Sequence, residues 1–362
     1  MLDYLLNGLG LGAIFAFIAL GYTMVYGIIK LINFAHGEFF MVGGFLGFFA
    51  LRDLGIERLP LPAPLPILLA YFCALTVAAL GSGLLAVVTE RIAYRPVRRA
   101  GRIAALITAV CVSLILQNLA IKAWGADPKA YPDPKVWVDV DDLPARAESN
   151  LYARRVATTS TGERVESEER VVVEGEAIDR LRLKSEGRGE VYRKVTIPRE
   201  TTRGFVILAL VLWTPVLWFL VMRTRMGKAM RAVSEDLDAA RLMGIPIDRV
   251  VAYTFFLGAF VAGVGGVAYC VTYGKIEPFT GFVPGLKAFI AAVIGGIGSI
   301  PGALVGGLLL GIAESVVPYM LRDWAGWRAA FAWKDAIAFA LLILFLLVRP
   351  TGLFGRPLRV KV

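Results

Sequence analysis

Residues 31–44 read LINFAHGEFFMVGG. They hold the single histidine of the chain, His36, close to Asn33 and Glu38. The flanks are apolar: neither 4–29 nor 39–51 carries a charged residue. Polar and ionisable groups at membrane depth are expensive, so they tend to face a protein interior or a water-filled path. The stretch is therefore a candidate piece of a transport pathway, with Asn33, His36, Gly37 and Glu38 as its residues. Asn33 and His36 are three apart and share a helix face. Glu38 would point away from that face, so one polar site made from all three requires a break near Gly37. The competing reading is a short cytoplasmic turn whose polar groups are solvated.

Working outward, the apolar blocks define the fold. Charge-free runs occupy 4–29, 59–89, 103–121, 204–222, 250–274 and 288–313. A helix needs about 20 apolar residues to cross the hydrocarbon core. Shorter runs at 39–51 and 336–348 can cross if flanking charges snorkel. The expectation is an all-α polytopic membrane protein with about eight spans and one broken or re-entrant helix. The first run is too long for a signal peptide and only Asp3 precedes it, so it reads as a span that stays in place. Cys73, Cys111 and Cys270 all lie in apolar runs and read as small buried hydrophobes.

The net charge of +10 is unevenly placed. Residues 127–203 hold 15 basic and 16 acidic side chains, which leaves 24 basic and 13 acidic for the rest of the chain. A basic excess in short loops sets membrane orientation and does not suggest nucleic acid. Three clusters are expected inside: Arg91, Arg95, Arg98, Arg99 and Arg102; the loop 223–249; and Arg349, Arg356, Arg359 and Lys361. Alternation then places the N-terminus, the 52–58 loop and 127–203 outside, in a bacterial cytoplasmic (inner) membrane. It leaves the basic tail inside only if 286–316 is broken. That segment contains GGIGSIPG at 295–302, where Gly295, Gly296, Gly298, Pro301 and Gly302 break a helix. Two short arms around a break near the cytoplasmic side are expected.

The domain organisation expected is N-terminal spans in 1–126, a charged extracytoplasmic insert in 127–203, and C-terminal spans in 204–362. Alternation in VWVDV at 136–140 and in parts of 189–197 suggests short β-strands in the insert. Four glycine pairs, Gly8/Gly12, Gly43/Gly47, Gly302/Gly306 and Gly307/Gly311, have the spacing that lets helix backbones approach in lipid.

Catalytic chemistry is missing. No G-x-x-x-x-G-K-[ST] segment is present to cradle a nucleotide phosphate. One histidine and cysteines in apolar runs make neither a usual zinc site nor a nucleophilic one. A transport subunit without a resident cofactor or metal fits, and its energy comes from a partner ATPase or an ion gradient. An ion-coupled secondary transporter usually carries matching discontinuous spans in its two halves, and the breaks near 33–38 and 295–302 are not evidently related.

The loop 223–249, RTRMGKAMRAVSEDLDAARLMGIPIDR, is too polar to span and rich in helix formers from Met226 to Met243. Gly244 and Pro246 end that helix. Within it, Asp238, Ala239, Ala240 and Gly244 resemble the EAA-x-x-x-G loop by which ABC importer permeases engage their ATPases. Asp stands for Glu, and the usual downstream I-x-L-P is absent. Five blocks carry a wider resemblance: GYTMVYGIIKLINFAHGEFFMVGG at 21–44, ERIAYRPVRR at 90–99, SEDLDAARLMGI at 234–245, GLKAFIAAVIGGIGSIPGALVGGLLLGIAE at 285–314 and RPTGLFGRP at 349–357. Together they are similar to the LivH-type permease of branched-chain amino acid ABC importers, over nearly all of 1–125 and 204–357. Segment 127–203 is longer and more charged than the family's loop. The resemblance implies a second related permease subunit, two cytoplasmic ATPases that bind ATP and Mg, and an external binding protein delivering leucine, isoleucine or valine. It also implies a coupling role for Glu235, Asp238, Ala239, Ala240 and Gly244. Related permeases carry urea or short amides, which is the alternative substrate class.

Overall fold

In a computed structural model, the described residues are 1–30, 33–56, 65–98, 100–132, 135–139, 141, 143, 145–146, 150–158, 164–179, 183, 190–194, 199–349 and 351–355. Leu31, Ile32, Glu57, Arg58, Arg99, Val140, residues 195–197, Arg356, Arg359 and Lys361, all used in the sequence reading, lie outside them. So does the start of the 59–89 run.

Eleven helices carry the chain among the described residues: α1 Leu2–Ile29, α2 His36–Asp53, α3 Leu65–Thr89, α4 Arg102–Trp124, α5 Arg199–Arg223, α6 Arg225–Glu235, α7 Leu237–Leu242, α8 Ile247–Tyr273, α9 Phe282–Gly295, α10 Ile300–Asp323 and α11 Lys334–Val348. Among the described residues seven helical segments are long and apolar enough to cross a membrane, and α2 and α9 are shorter, at 18 and 14 residues. The chain is a polytopic helical membrane protein. α1 and α8 are buried over most of their length, as helices hydrophobic all round must be.

Two compact units divide the chain. The larger comprises Met1–Phe48, Ala74–Tyr131 and Arg199–Val362; the smaller comprises Phe49–Cys73 and Pro132–Pro198. In the smaller unit β2 Lys135–Asp139, β3 Leu151–Thr158, β4 Arg164–Val172 and β5 Glu190–Lys194 form one antiparallel sheet, ordered β2-β5-β3-β4. The two alternating stretches pair with each other, Val136 opposite Arg193 and Val138 opposite Val191. Leu151, Ala153, Val172, Leu183 and Val191 form its buried cluster. The hairpin β3–β4 adds two strands that the sequence reading did not assign. In the larger unit a short pair, β1 Lys129–Ala130 with β6 Lys275–Ile276, ties the chain after α4 to the end of α8.

α1 and α10 run antiparallel with almost nothing between their backbones. A Cβ added to Gly8 would stand 2.7 Å from the Ile312 Cα, one on Gly12 2.7 Å from the Leu308 Cα, and one on Gly307 2.6 Å from the Ala16 Cα. Gly302 and Gly306 meet Gly295 and Ala291 of α9, and Gly43 meets Gly263 of α8. The glycine pairs thus sit at helix crossings, as small residues in membrane bundles do.

The broken segment differs from the two short arms expected, since only one arm is short. α9 has 14 residues, but α10 has 24 and is of membrane length. The break lies at 296–299, where Gly296 and Gly298 take φ of 99° and 96° that a side chain would disfavour. Ser299 caps α10 by accepting from the Gly302 N–H at 3.2 Å, and Pro301 sits in the first turn, where its missing N–H costs nothing. The tail closes over the break: Leu353 and Phe354 donate backbone N–H groups to the carbonyls of Ile294 and Gly295. Irregular backbone is tolerated at depth where protein covers it in this way.

α3 also departs from expectation. The charge at Glu90 ends the apolar run but not the helix, which continues through a π turn at Glu90–Tyr94 and a last turn at Arg95–Val97. Hydropathy marks where lipid solvation ends; it does not mark where backbone hydrogen bonding ends.

Candidate functional site

Asn33, His36 and Glu38 are all buried, at 2%, 1% and 1% exposure, which excludes a turn of solvated side chains. They do not converge. α2 starts at His36 and runs through Gly37 without a break, so its side chains radiate into three neighbourhoods.

Asn33 lies just before α2. Its Oδ1 accepts from the Ala35 N–H at 3.1 Å and from the Tyr94 hydroxyl, while its backbone carbonyl accepts from the His36 N–H. This local closure turns the chain into α2 and fixes the Asn33 side chain against α3. His36 packs toward α1, its ring centroid 4.7 Å from that of Tyr22, in the space left by the missing side chain of Gly21. Gly37 lies against Gly281 and Gly285 at the start of α9. Glu38 faces α4, where the Ser113 hydroxyl and the Gln117 amide both donate to Oε1 at 2.8 Å. Ser113 and Gln117 are one helical turn apart in an apolar helix, a spacing that marks a polar stripe in the sequence.

A cleft lies beside Asn33, lined by Val25, Ile29, Tyr94, Arg98, Val251 and Phe255. It has room for ≈ 10 Å³, enough for about one water and far too little for an amino acid. The cleft is too narrow for substrate at this point. Arg98 on its wall belongs to an ion cluster. Fully buried Glu90 accepts from Arg95 at 3.1 Å and from Arg98, and Arg98 also donates to Asp248 of α8 at 2.9 Å. In sequence these arginines read only as orientation signals.

A second ion cluster centres on buried Lys287. Lys287 of α9 donates to Glu314 of α10 and to Asp335 of α11, each at 2.6 Å. Lys287 and Glu314 bound the charge-free run 288–313, and the break at 296–299 folds its ends together.

The polar loop forms two helices where one was expected. Asp236 takes an extended conformation, and its Oδ1 accepts from the N–H groups of Asp238 and Ala239 at 3.0 Å, capping α7 and stopping α6 at Glu235. A short acidic residue competes with the helix for its own backbone. α6 is anchored beneath: Met230 and Val233 are buried, and Arg231 donates to the carbonyls of Val221 and Met222 at the end of α5. α7 ends in a Schellman motif, with Gly244 N–H on the Arg241 carbonyl, Ile245 N–H on the Ala240 carbonyl and Gly244 at φ 77°. Ala240 faces inward, whereas Glu235, Asp238, Ala239 and Gly244 are exposed. Beside them Leu242 and Met243 stand 88% and 81% exposed, an apolar pair at the tip of an otherwise polar corner.

Comparison with known proteins places the sequence among transport permeases. Residues 4–346 match the model of the branched-chain amino acid transport system permease component. The chain is 38% identical, over 98% of its length and 96% of theirs, to the high-affinity branched-chain amino acid transport system permease proteins BraD of Pseudomonas aeruginosa and LivH of Escherichia coli K12. A solved structure, PsaBC from Streptococcus pneumoniae in complex with Fab, aligns over 97% of this chain and 94% of that one, at 14% identity and a TM-score of 0.42. On a match that spans residues 4–346 and on the 38% identity over nearly the whole chain, the chain belongs to the family of branched-chain amino acid transport system permease components.

Proposed function

We propose that this chain is one of two related membrane subunits of an ABC importer for branched-chain amino acids, working by alternating access and hydrolysing nothing itself. The observation that carries this reading is the α6–α7 corner. It is a short helical element, anchored through Met230 and Arg231, ended by Gly244, and presenting Asp238, Ala239, Leu242 and Met243 outward between two spans. An apolar pair on a polar, capped corner suits a groove on a soluble partner. The partners in this reading are the second permease subunit, two cytoplasmic ATPases that hold ATP and Mg, and an external binding protein. The N-terminus and the four-stranded sheet face outside, and the α6–α7 corner, the 296–299 break and the C-terminus face the cytoplasm of a bacterial inner membrane.

The test is uptake into proteoliposomes holding this chain with its second permease, ATPases and binding protein. Labelled leucine enters only with ATP on the ATPase side, and excess valine blocks it. Block by urea and not by valine would reassign the substrate to short amides. Uptake driven by an ion gradient without ATP would sink the ABC reading.

In the same reading Asn33, His36, Gly37 and Glu38 border the path. Glu38→Gln keeps the shape and an acceptor for Ser113 and Gln117 but removes the charge. Uptake is expected to fall about tenfold at unchanged expression, the worth of one charge-assisted hydrogen bond. Wild-type uptake would assign Glu38 to packing.

A further inference from the structure

Ion pairs and one hydrogen bond, joined by two short stretches of backbone, connect the α6–α7 corner to the closure beside Asn33. Asp248 stands in the first turn of α8, four residues after the Gly244 that ends α7. Its carboxylate accepts from Arg98 at 2.9 Å and lies 3.8 Å from Arg95. The same two guanidiniums hold Glu90. Glu90 opens the π turn, and Tyr94 closes it by donating to Asn33. Arg98, Tyr94 and Asn33 then line one wall of the narrow cleft.

The links are unequal. The Glu90 side chain is 0% exposed, so releasing its arginines would strand a desolvated carboxylate. The Asp248 side chain is 59% exposed, so water can replace Arg98 at little cost. The set therefore opens at Asp248 and holds at Glu90. Between Glu90 and Tyr94 the backbone is a π turn, a rare geometry concentrated at functional sites. A movement of the corner that draws Asp248 away removes one of the two anchors of Arg98 on the cleft wall.

We propose that Glu90 and Arg98 are positioning residues that carry movement of the ATPase-docking corner to the Asn33–Tyr94 closure, with Asp248 as the releasable end. The proposal rests on the importer reading above. It makes opening of this closure conditional on the position of the corner, so that breaking the set uncouples hydrolysis from passage.

The test measures leucine uptake and ATP hydrolysis in the same proteoliposomes of the complete transporter. Asp248→Asn folds safely because the side chain is exposed. It is expected to keep hydrolysis while uptake per ATP falls about fivefold or more, the usual scale of coupling between sites. Tyr94→Phe keeps the ring against Phe255, 5.2 Å between centroids, but deletes the bond to Asn33. The same defect is expected. The double variant is no worse than the worse single, because both break one chain of contacts. Asp248→Glu restores most of the ratio. An unchanged ratio in Asp248→Asn, or defects that multiply in the double variant, would overturn the proposal and leave the importer reading standing. Wild-type protein without ATP-dependent uptake would bring down both.

Discussion

Leucine in place of Gly311 is expected to prevent the bundle from assembling. A Cβ at this position would run into the backbone of Gly12 and lie 2.5 Å from the Gly8 carbonyl oxygen. The neighbours are main chain, so no rotamer can move aside. α1 and α10 would have to separate, and α1 is the buried centre of the larger unit. Overpacking a well-packed core costs about 1–3 kcal/mol when side chains can adjust, and more when they cannot. In lipid no hydrophobic drive restores the contact, since association rests on close van der Waals packing. The measurement is the yield of monodisperse complex in detergent. Gly311→Leu gives little or none, Gly311→Ala gives a reduced yield, and Gly204→Leu on α5 gives a normal one, because nothing lies within 4 Å of a Cβ there. Normal assembly of Gly311→Leu would show that the α1–α10 crossing is looser than described.

The crossing illustrates what a sequence can and cannot say in a membrane. Glycines four apart at 8 and 12 and at 307 and 311 announce two sticky helix faces, because lipid gives backbone contact few other uses. Which face meets which is a tertiary fact, and it took the structure to pair them. The spans were legible for the same kind of reason: the hydrocarbon thickness fixes a length that apolar runs must meet. The insert was half legible. β2 and β5 alternate, while RVESEERVV of β4 buries the period under charge.

Function-bearing residues were legible as types and not as neighbours. Asn33, His36 and Glu38 were found because polar groups stand out in an apolar context, yet Asn33 lies before the start of α2 and a helix sends residues two apart, His36 and Glu38, in different directions. His36 goes to α1 and Glu38 to α4. Arg98 reads in sequence only as an orientation signal, because basic residues at a membrane boundary already have an explanation, and Tyr94 and Asp248 carry no signal of their own. Only their shared contacts with Asn33, Glu90 and the cleft set them apart.

Lys287→Met is expected to destabilise the transporter far more than Glu314→Gln, although both remove one partner of the same ion pair. Lys287 is 4% exposed and sits between two acids, Glu314 at 4% exposure and Asp335, whose side chain is 50% exposed. Removing the lysine leaves Glu314 as a buried carboxylate, with Lys334 4.0 Å away as its nearest cation among the described residues. Breaking a buried pair from one side costs about 3–5 kcal/mol, because the surviving charge is desolvated and uncompensated. Glu314→Gln removes the buried acid instead. Lys287 keeps Asp335 at 2.6 Å, and the glutamine carbonyl still accepts from it, so the loss is about 1–2 kcal/mol. The double variant Lys287→Met with Glu314→Leu removes both buried charges. Asp335 then turns to water, and stability returns to within about 1 kcal/mol of the Glu314→Gln variant, since apolar replacement of a whole buried pair is often neutral or better. Thermal unfolding of the detergent-purified complex reads this order directly: Lys287→Met lowest, the double variant well above it. Equal losses for the two single variants, or a double variant as weak as Lys287→Met, would mean that water reaches Glu314 and that α9, α10 and α11 are held by packing alone.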